Sequence, residues 1–189
     1  MTTEPLHSLT SSAGEPLPQV VSSRTVFSGK IIDARVDEIT IPGGGTASRE
    51  VVEHPGAVVV AALDGEGRLF LVRQYRHPIR RELLELPAGT LEPGEEPLEA
   101  AKRELREEAG LEARLWISLS SFFSSPGFAN ERLHPFLAQD LKEVPPDPDD
   151  DEVIAVVRYP LVGLLQRLDE IADAKTLATL LLLQRVLPS

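Results

Sequence analysis

The stretch GTLEPGEEPLEAAKRELREEAGL, residues 89–111, constrains this chain more than any other. Pro97 suits a first helical turn, where a missing N–H costs little, and Gly110 suits the left-handed residue that closes a helix. Between them Leu98, Ala101, Leu105 and Ala109 recur at helical spacing, which predicts a helix with one face packed on a sheet. Its other face is anionic. Glu104, Glu107 and Glu108 stand three and four residues apart and so are neighbours, and Glu99 adds a fourth carboxylate. Two of these acids fall in the last turn, where the helix dipole favours cations. Something outside the helix must offset the repulsion.

A hard divalent cation would do so. Carboxylates at these spacings form an all-oxygen donor set, which suits octahedral Mg²⁺ with waters that a phosphate can displace. Arg103 can pair with Glu107 one turn away and orient it while the other acids stay free. The chain has no cysteine, which excludes disulfides, thiolate catalysis and cysteine-based zinc sites. Its four histidines are His7, His54, His77 and His134, and nothing among them competes as a transition-metal site. His54 and His77 each sit beside a proline and read as structural or solvent-facing.

The rest of the chain supplies a scaffold. Residues 1–23, rich in Ser, Thr and Pro, read as a flexible tail, and 24–189 as a single domain. TVFSGKIIDARVDEITIP alternates as two strands, and the glycines at 43–45 make a turn. AVVVAAL (57–63) is a β-branched apolar run fit for a strand buried on both faces, with RLFLVRQY as its hairpin partner across DGEG. ARLWISLSSFF, LHPFLAQDL and EVIAVVRYP read as further strands. PLVGLLQRL and DAKTLATLLLLQRVL read as helices, the second with Asp173 as N-cap. Strands, a helix, more strands and terminal helices make an α+β fold, a mixed sheet covered by helices. A net charge of −11 argues against nucleic acid or an anionic membrane as partner. No apolar run approaches the length of a bilayer span, and the first residues lack the pattern of a secretory signal, so a cytoplasmic protein is expected.

Gly89, Glu95 and the run Arg103-Glu104-Leu105-x-Glu107-Glu108-x-Gly110-Leu111 resemble the Nudix box at every defined position. The resemblance implies a Nudix-type α/β/α sandwich with a central mixed sheet, and hydrolysis of a nucleoside diphosphate linked to another group. It further implies that Glu104, Glu107 and Glu108, with the carbonyl of Ala88, hold catalytic Mg²⁺ or Mn²⁺, and that Glu95 and Arg103 prop the site together. Pro126, sixteen residues past Gly110, and the wording of SPGF, REVVEHPGAVVV and VRQYRHP resemble the ADP-ribose pyrophosphatase branch.

By that likeness Arg76 meets the diphosphate or terminal ribose, and Arg49 and Glu50 grip the adenosine half, with a surface ion pair as the bland reading of each arginine. Pro126 and Gly127 belong to the substrate loop. For Glu131, contact with a ribose and plain solvent exposure both stand. Within the acidic run PPDPDDDEVI, Glu152 is the candidate for a further metal contact or general base, with Asp150 as its alternative. The branch also implies a homodimer in which strands from 24–54 are exchanged. ADP-ribose is the substrate so implied, yielding AMP and ribose 5-phosphate. GDP-mannose, NADH or a dinucleotide remain alternatives, as does a domain that senses a nucleotide without cleaving it.

Overall fold

The computed structural model of the chain describes residues 17–145 and 155–187. Contacts divide these residues into two compact units. The first holds residues up to His54 together with Gly127–Ala129, and the second holds Pro55–Pro126 with the described residues from Asn130 onward.

The first unit is an antiparallel meander of β1 (Val20–Ser28), β2 (Asp33–Thr40) and β3 (Thr46–Glu53), with β2 in the middle. Gly43, Gly44 and Gly45 all take positive φ in the β2–β3 turn, a run that L side chains would enter only under strain. Strand β1 starts at Val20, so the last four residues of the expected tail are strand instead. Register explains the difference: Val20 lies opposite Ile39 and Ser23 opposite Asp37, so β2 is long enough to order serines whose composition suggests no structure. Residues 1–16 of that tail lie outside the described residues. On the third strand Val52 donates its N–H to Phe128 O at 2.8 Å, tying the 127–129 segment to this unit.

The second unit contains, in chain order, β4 (Ala57–Ala62), β5 (Arg68–Arg76), β6 (Arg81–Glu85), β7 (Ala88–Thr90), α1 (Pro97–Ala109), β8 (Leu111–Ser118), β9 (Phe122–Phe123), β10 (Arg132–Glu143), β11 (Ala155–Pro160), α2 (Leu161–Leu165) and α3 (Ala174–Leu183). Its larger sheet runs β7-β4-β10-β8, and β10 lies parallel to β4 while the other pairs are antiparallel. A second sheet runs β11-β5-β6.

Every residue of β4 is buried, as a continuous apolar run requires when both faces are covered. Val58, Val60 and Ala62 pack with Ala100, Ala101 and Leu105 of α1, and Val59 and Ala61 pack with Leu180 and Leu183 of α3. The α/β/α layering expected from the sequence is therefore the architecture of this unit. The expected β4–β5 hairpin is not. The strands share one bridge, Leu63 with Leu69, and then part. Both edges of β4 are taken, by β7 and β10, which leaves β5 to build the second sheet.

The two terminal helices are shorter than their apolar runs. α2 ends at Leu165, a 3-10 turn covers Leu168–Glu170, and α3 stops at Leu183. Asp173 does cap α3, accepting from Thr176 N–H at 2.9 Å. Among the described residues no helix is long and apolar enough to cross a membrane.

Leu105 is fully buried between α1 and the sheet. Leu105→Ala should lower unfolding free energy by about 3 kcal/mol, mostly through the cavity it leaves. Urea titration checks this, and a loss well below 1 kcal/mol would contradict the packing described.

Candidate active site

The caps read from the sequence set the limits of α1. Pro97 opens the helix, and Gly110 closes it at φ 62°, donating its N–H to Arg106 O at 3.0 Å. With its apolar stripe on the sheet, the helix turns Glu104 and Glu108 inward, where they are 9% and 6% exposed, while Glu99 stays outside and pairs with Lys102. Burial of two ionised carboxylates is unfavourable unless their lone pairs are met.

Arg103 meets several of them. Its Nε and Nη2 donate to the two oxygens of Glu95, each at 3.0 Å. Nη1 donates to Glu104 at 2.7 Å and to Glu107 at 3.0 Å, and Nη2 also reaches Thr90 O at 3.2 Å. All five N–H groups of the fork are thereby engaged. Those bonds hold the guanidinium far above its ordinary pKa, with Glu95 the largest cause, and the Arg103 bonds hold Glu95 below the usual carboxylate range. Glu95 is itself fixed by the turn at Gly94, where its carboxylate accepts Glu92 N–H at 3.0 Å.

The backbone of β7 completes the surround. Ala88 donates its N–H to Glu108 at 2.9 Å. Glu104 lies against Gly89 so closely that a Cβ there would fall 1.8 Å from the carboxylate. Glycine at 89 is thus a cradle for that side chain, which gives the first residue of the motif a physical reason.

Three acids, Glu95, Glu104 and Glu107, meet on one arginine, and Glu108 lies on the same helix. Among the described residues, no three acidic or histidine side chains converge closely enough to enclose an ion. Arg103 draws Glu104 and Glu107 to itself, and Glu108 turns to Ala88. The donor set nevertheless fits a hard divalent cation: it is all oxygen, two members are buried, and its surplus negative charge exceeds what one guanidinium neutralises.

Beside this cluster stands Arg76. Its charged form is favoured first by hydrogen bonds to Glu85, against burial, and also by the charges of Glu85, Glu108 and Asp173. Nε and Nη2 grip both oxygens of Glu85 at 2.9 and 2.7 Å. Glu85 is 1% exposed and also takes Lys175 Nζ. Arg76 was expected here from its sequence neighbourhood, but neither of these partners was. The available signal was an acid inside the apolar strand pattern RELLEL, where a buried charge demands a cation.

The other expected residues are placed without being gathered here. Arg49 and Glu50 are exposed on β3 of the first unit, with Arg49 donating to Ser48 O. Pro126 and Gly127 occupy an exposed turn between β9 and β10. Glu131 is half-buried just before β10, and its carbonyl accepts Ser124 N–H at 3.1 Å. Glu152 and Asp150 lie outside the described residues.

Known proteins resemble this chain over most of its length. A family model described as the NUDIX domain matches residues 52–180, and one described as the nucleoside diphosphate sugar hydrolase N-terminal domain matches 19–52. An ADP-ribose pyrophosphatase of Bacillus subtilis is 42% identical over 162 residues, 84% of this chain and 88% of that protein. A methanol dehydrogenase activator of Bacillus methanolicus is 40% identical over 170 residues, 88% of this chain and 92% of that protein. A crystal structure of an ADP compounds hydrolase superposes with a TM-score of 0.79 at 24% identity, covering 89% of this chain and 93% of that one. This last likeness is one of fold.

Burial pushes the Glu85 carboxyl up, but hydrogen bonds and charge from Arg76 and Lys175 leave it below its ordinary value of 4.5. A carboxyl depressed in the folded state stabilises the protein above its unfolded value and loses that contribution as pH falls through the folded one. Stability should therefore decline as pH drops below about 4.5, and Glu85→Gln should flatten that acid limb while lowering stability at neutral pH. Urea midpoints of both proteins from about pH 3 to 7 check this, and parallel curves would refute it.

Proposed function

The chain belongs to the Nudix family, and we propose that it hydrolyses the diphosphate of ADP-ribose, releasing AMP and ribose 5-phosphate. The observation that carries the reading is the carboxylate cluster of α1, held by the five donors of Arg103 and seated on Gly89 and Ala88. A binding domain without chemistry has no need to bury acids around one cation. The choice of ADP-ribose is supported by the relative so named, at 42% identity over most of both chains.

In this reading Glu104, Glu107, Glu108 and the Ala88 carbonyl would hold Mg²⁺ or Mn²⁺, with Glu152 as the candidate for a further contact. Bound there, the ion supplies Lewis acidity toward the phosphates and lowers the pKa of a coordinated water. Glu95 and Arg103 keep the carboxylates in place. The free N–H groups of Arg76 meet phosphate oxygens, for which a guanidinium is well matched. Arg49 and Glu50 take the adenosine half, Glu131 a ribose hydroxyl, and the Pro126–Gly127 turn borders the substrate. Glu152, with Asp150 as its alternative, either adds a contact to the ion or accepts the proton of the attacking water. One P–O bond of the diphosphate breaks, and the oxygen of water completes the second monophosphate.

A second reading keeps this chemistry on another nucleoside diphosphate, such as GDP-mannose, NADH or a dinucleotide. It is kept in view by the relative of 40% identity whose name refers to a dehydrogenase rather than to ADP-ribose. We place the enzyme in the cytoplasm, without nucleic acid or membrane as partner. We also propose a homodimer formed through the strands of 24–54, supported by the exposed Val26, Phe27 and Ile31 of that segment.

A substrate panel with magnesium tests the reading. ADP-ribose should give the highest kcat/KM, chelator should abolish turnover, and Glu108→Gln should lower kcat by about 1000-fold, roughly 4 kcal/mol of barrier, at unchanged Tm. Full turnover by that variant would defeat the assignment. Light scattering should return twice the 20.6 kDa chain mass, and a monomer would refute the dimer.

A further inference from the structure

A lysine in the first turn of a helix stands at the wrong end of its dipole. Lys175, second residue of α3, is such a lysine. It is 17% exposed, and its ammonium bonds Glu85 and, at 3.0 Å, Asp173. Such burial of a strongly hydrated charge in an unfavourable field calls for a reason beyond capping, because Asp173 already caps the helix through Thr176 N–H.

The contacts supply one. Glu85 is shared: its Oε2 takes both Arg76 Nη2 and Lys175 Nζ, while Oε1 takes Arg76 Nε. Arg76, Glu85, Lys175 and Asp173 thus alternate in charge along one chain of bonds, from the end of β5 through β6 to the start of α3. The terminal torsion of a glutamate is broad, so a carboxylate held only by a mobile arginine would turn with it. The ammonium adds a second anchor on Oε2, from an element other than the one that carries Arg76. Arg76 is then held by two of its nitrogens on a carboxylate that is itself anchored. Among the described residues nothing accepts from its Nη1, and Glu108 lies near enough to favour its charge.

We propose that Lys175 is a positioning residue for substrate binding, aiming Arg76 at the diphosphate through the Glu85 carboxylate. It touches neither substrate nor reacting atoms. The inference rests on the functional reading above, since it presumes that a diphosphate occupies the place Arg76 faces.

Steady-state kinetics on the full chain with ADP-ribose and magnesium test it. Lys175→Met should raise KM about tenfold and leave kcat within about twofold, the pattern of a lost uniform binding interaction. Lys175→Arg should give a KM closer to that of the unaltered protein than Lys175→Met does, because the charge is kept although the compact ammonium is not. Arg76→Ala should raise KM at least as much as Lys175→Met. The double variant should add little to Arg76→Ala, because residues acting through one another are not additive. A merely structural lysine would instead lower Tm and add its effect to that of Arg76→Ala. An active unaltered protein with unchanged KM in Lys175→Met, or with additive effects, overturns the inference alone. An unaltered protein that cleaves no nucleoside diphosphate overturns the functional reading and this inference with it.

Discussion

The architecture around the site depends on one guanidinium. Arg103 stands between acids that would otherwise repel one another, and the five N–H groups of its planar fork are divided among Glu95, Glu104, Glu107 and Thr90 O. A lysine could not do this, because an ammonium has three donors and no fixed plane. The arrangement also explains why the helix tolerates acids in its last turn. One cation is already present within the fold, and it neutralises part of the cluster while leaving negative charge for an ion to find.

Charge compensation of this kind is local, and local features were the readable ones. The limits of α1, its two faces and the Arg103–Glu107 pair follow from caps, periodicity and helical spacing within a 23-residue stretch. The cap at Asp173 was readable for the same reason. The neighbours of β4 were not. An apolar run announces burial on both faces but says nothing of which strands flank it, so the turn at 64–67 suggested a hairpin that β7 and β10 had pre-empted. The start of β1 was hidden by serines whose order depends on β2. Glu85 and Lys175 lie 90 residues apart, and no pattern in either neighbourhood pairs them.

The same contrast divides the chemistry from the choice of substrate. Residues 88–110 carry the carboxylates, the guanidinium and the backbone that seats them, so the hydrolytic reading could be drawn from one segment. Groups proposed to recognise the nucleotide come from β3, from the end of β5, from the turn at 126–127 and from Glu131 just before β10. Each is a common residue type in a loop or on a strand, where a surface ion pair is an ordinary alternative. Recognition dispersed in this way becomes legible only when a fold assigns partners, as it does for Arg76 and Glu85.

From the end of β6 into β7, the five residues Glu85 to Gly89 join these devices. Leu86 N–H donates to Thr176 Oγ1 at 2.9 Å, so the first turn of α3 grips the run from one face of the sheet. Ala88 N–H binds Glu108, and Gly89 lies under Glu104, so α1 grips it from the other. Glu85 at its start holds Arg76. Consecutive residues of one short backbone thereby set the positions of the Arg76 guanidinium and of two buried carboxylates. All of them are tied to this one short segment. The apolar residues at 86–89 suit such a strip, since Pro87 has no N–H to leave unpaired and glycine alone leaves room for Glu104. What a cation-dependent diphosphate site requires above all is a constant distance between its positive and negative walls, and these five residues are where the chain provides it.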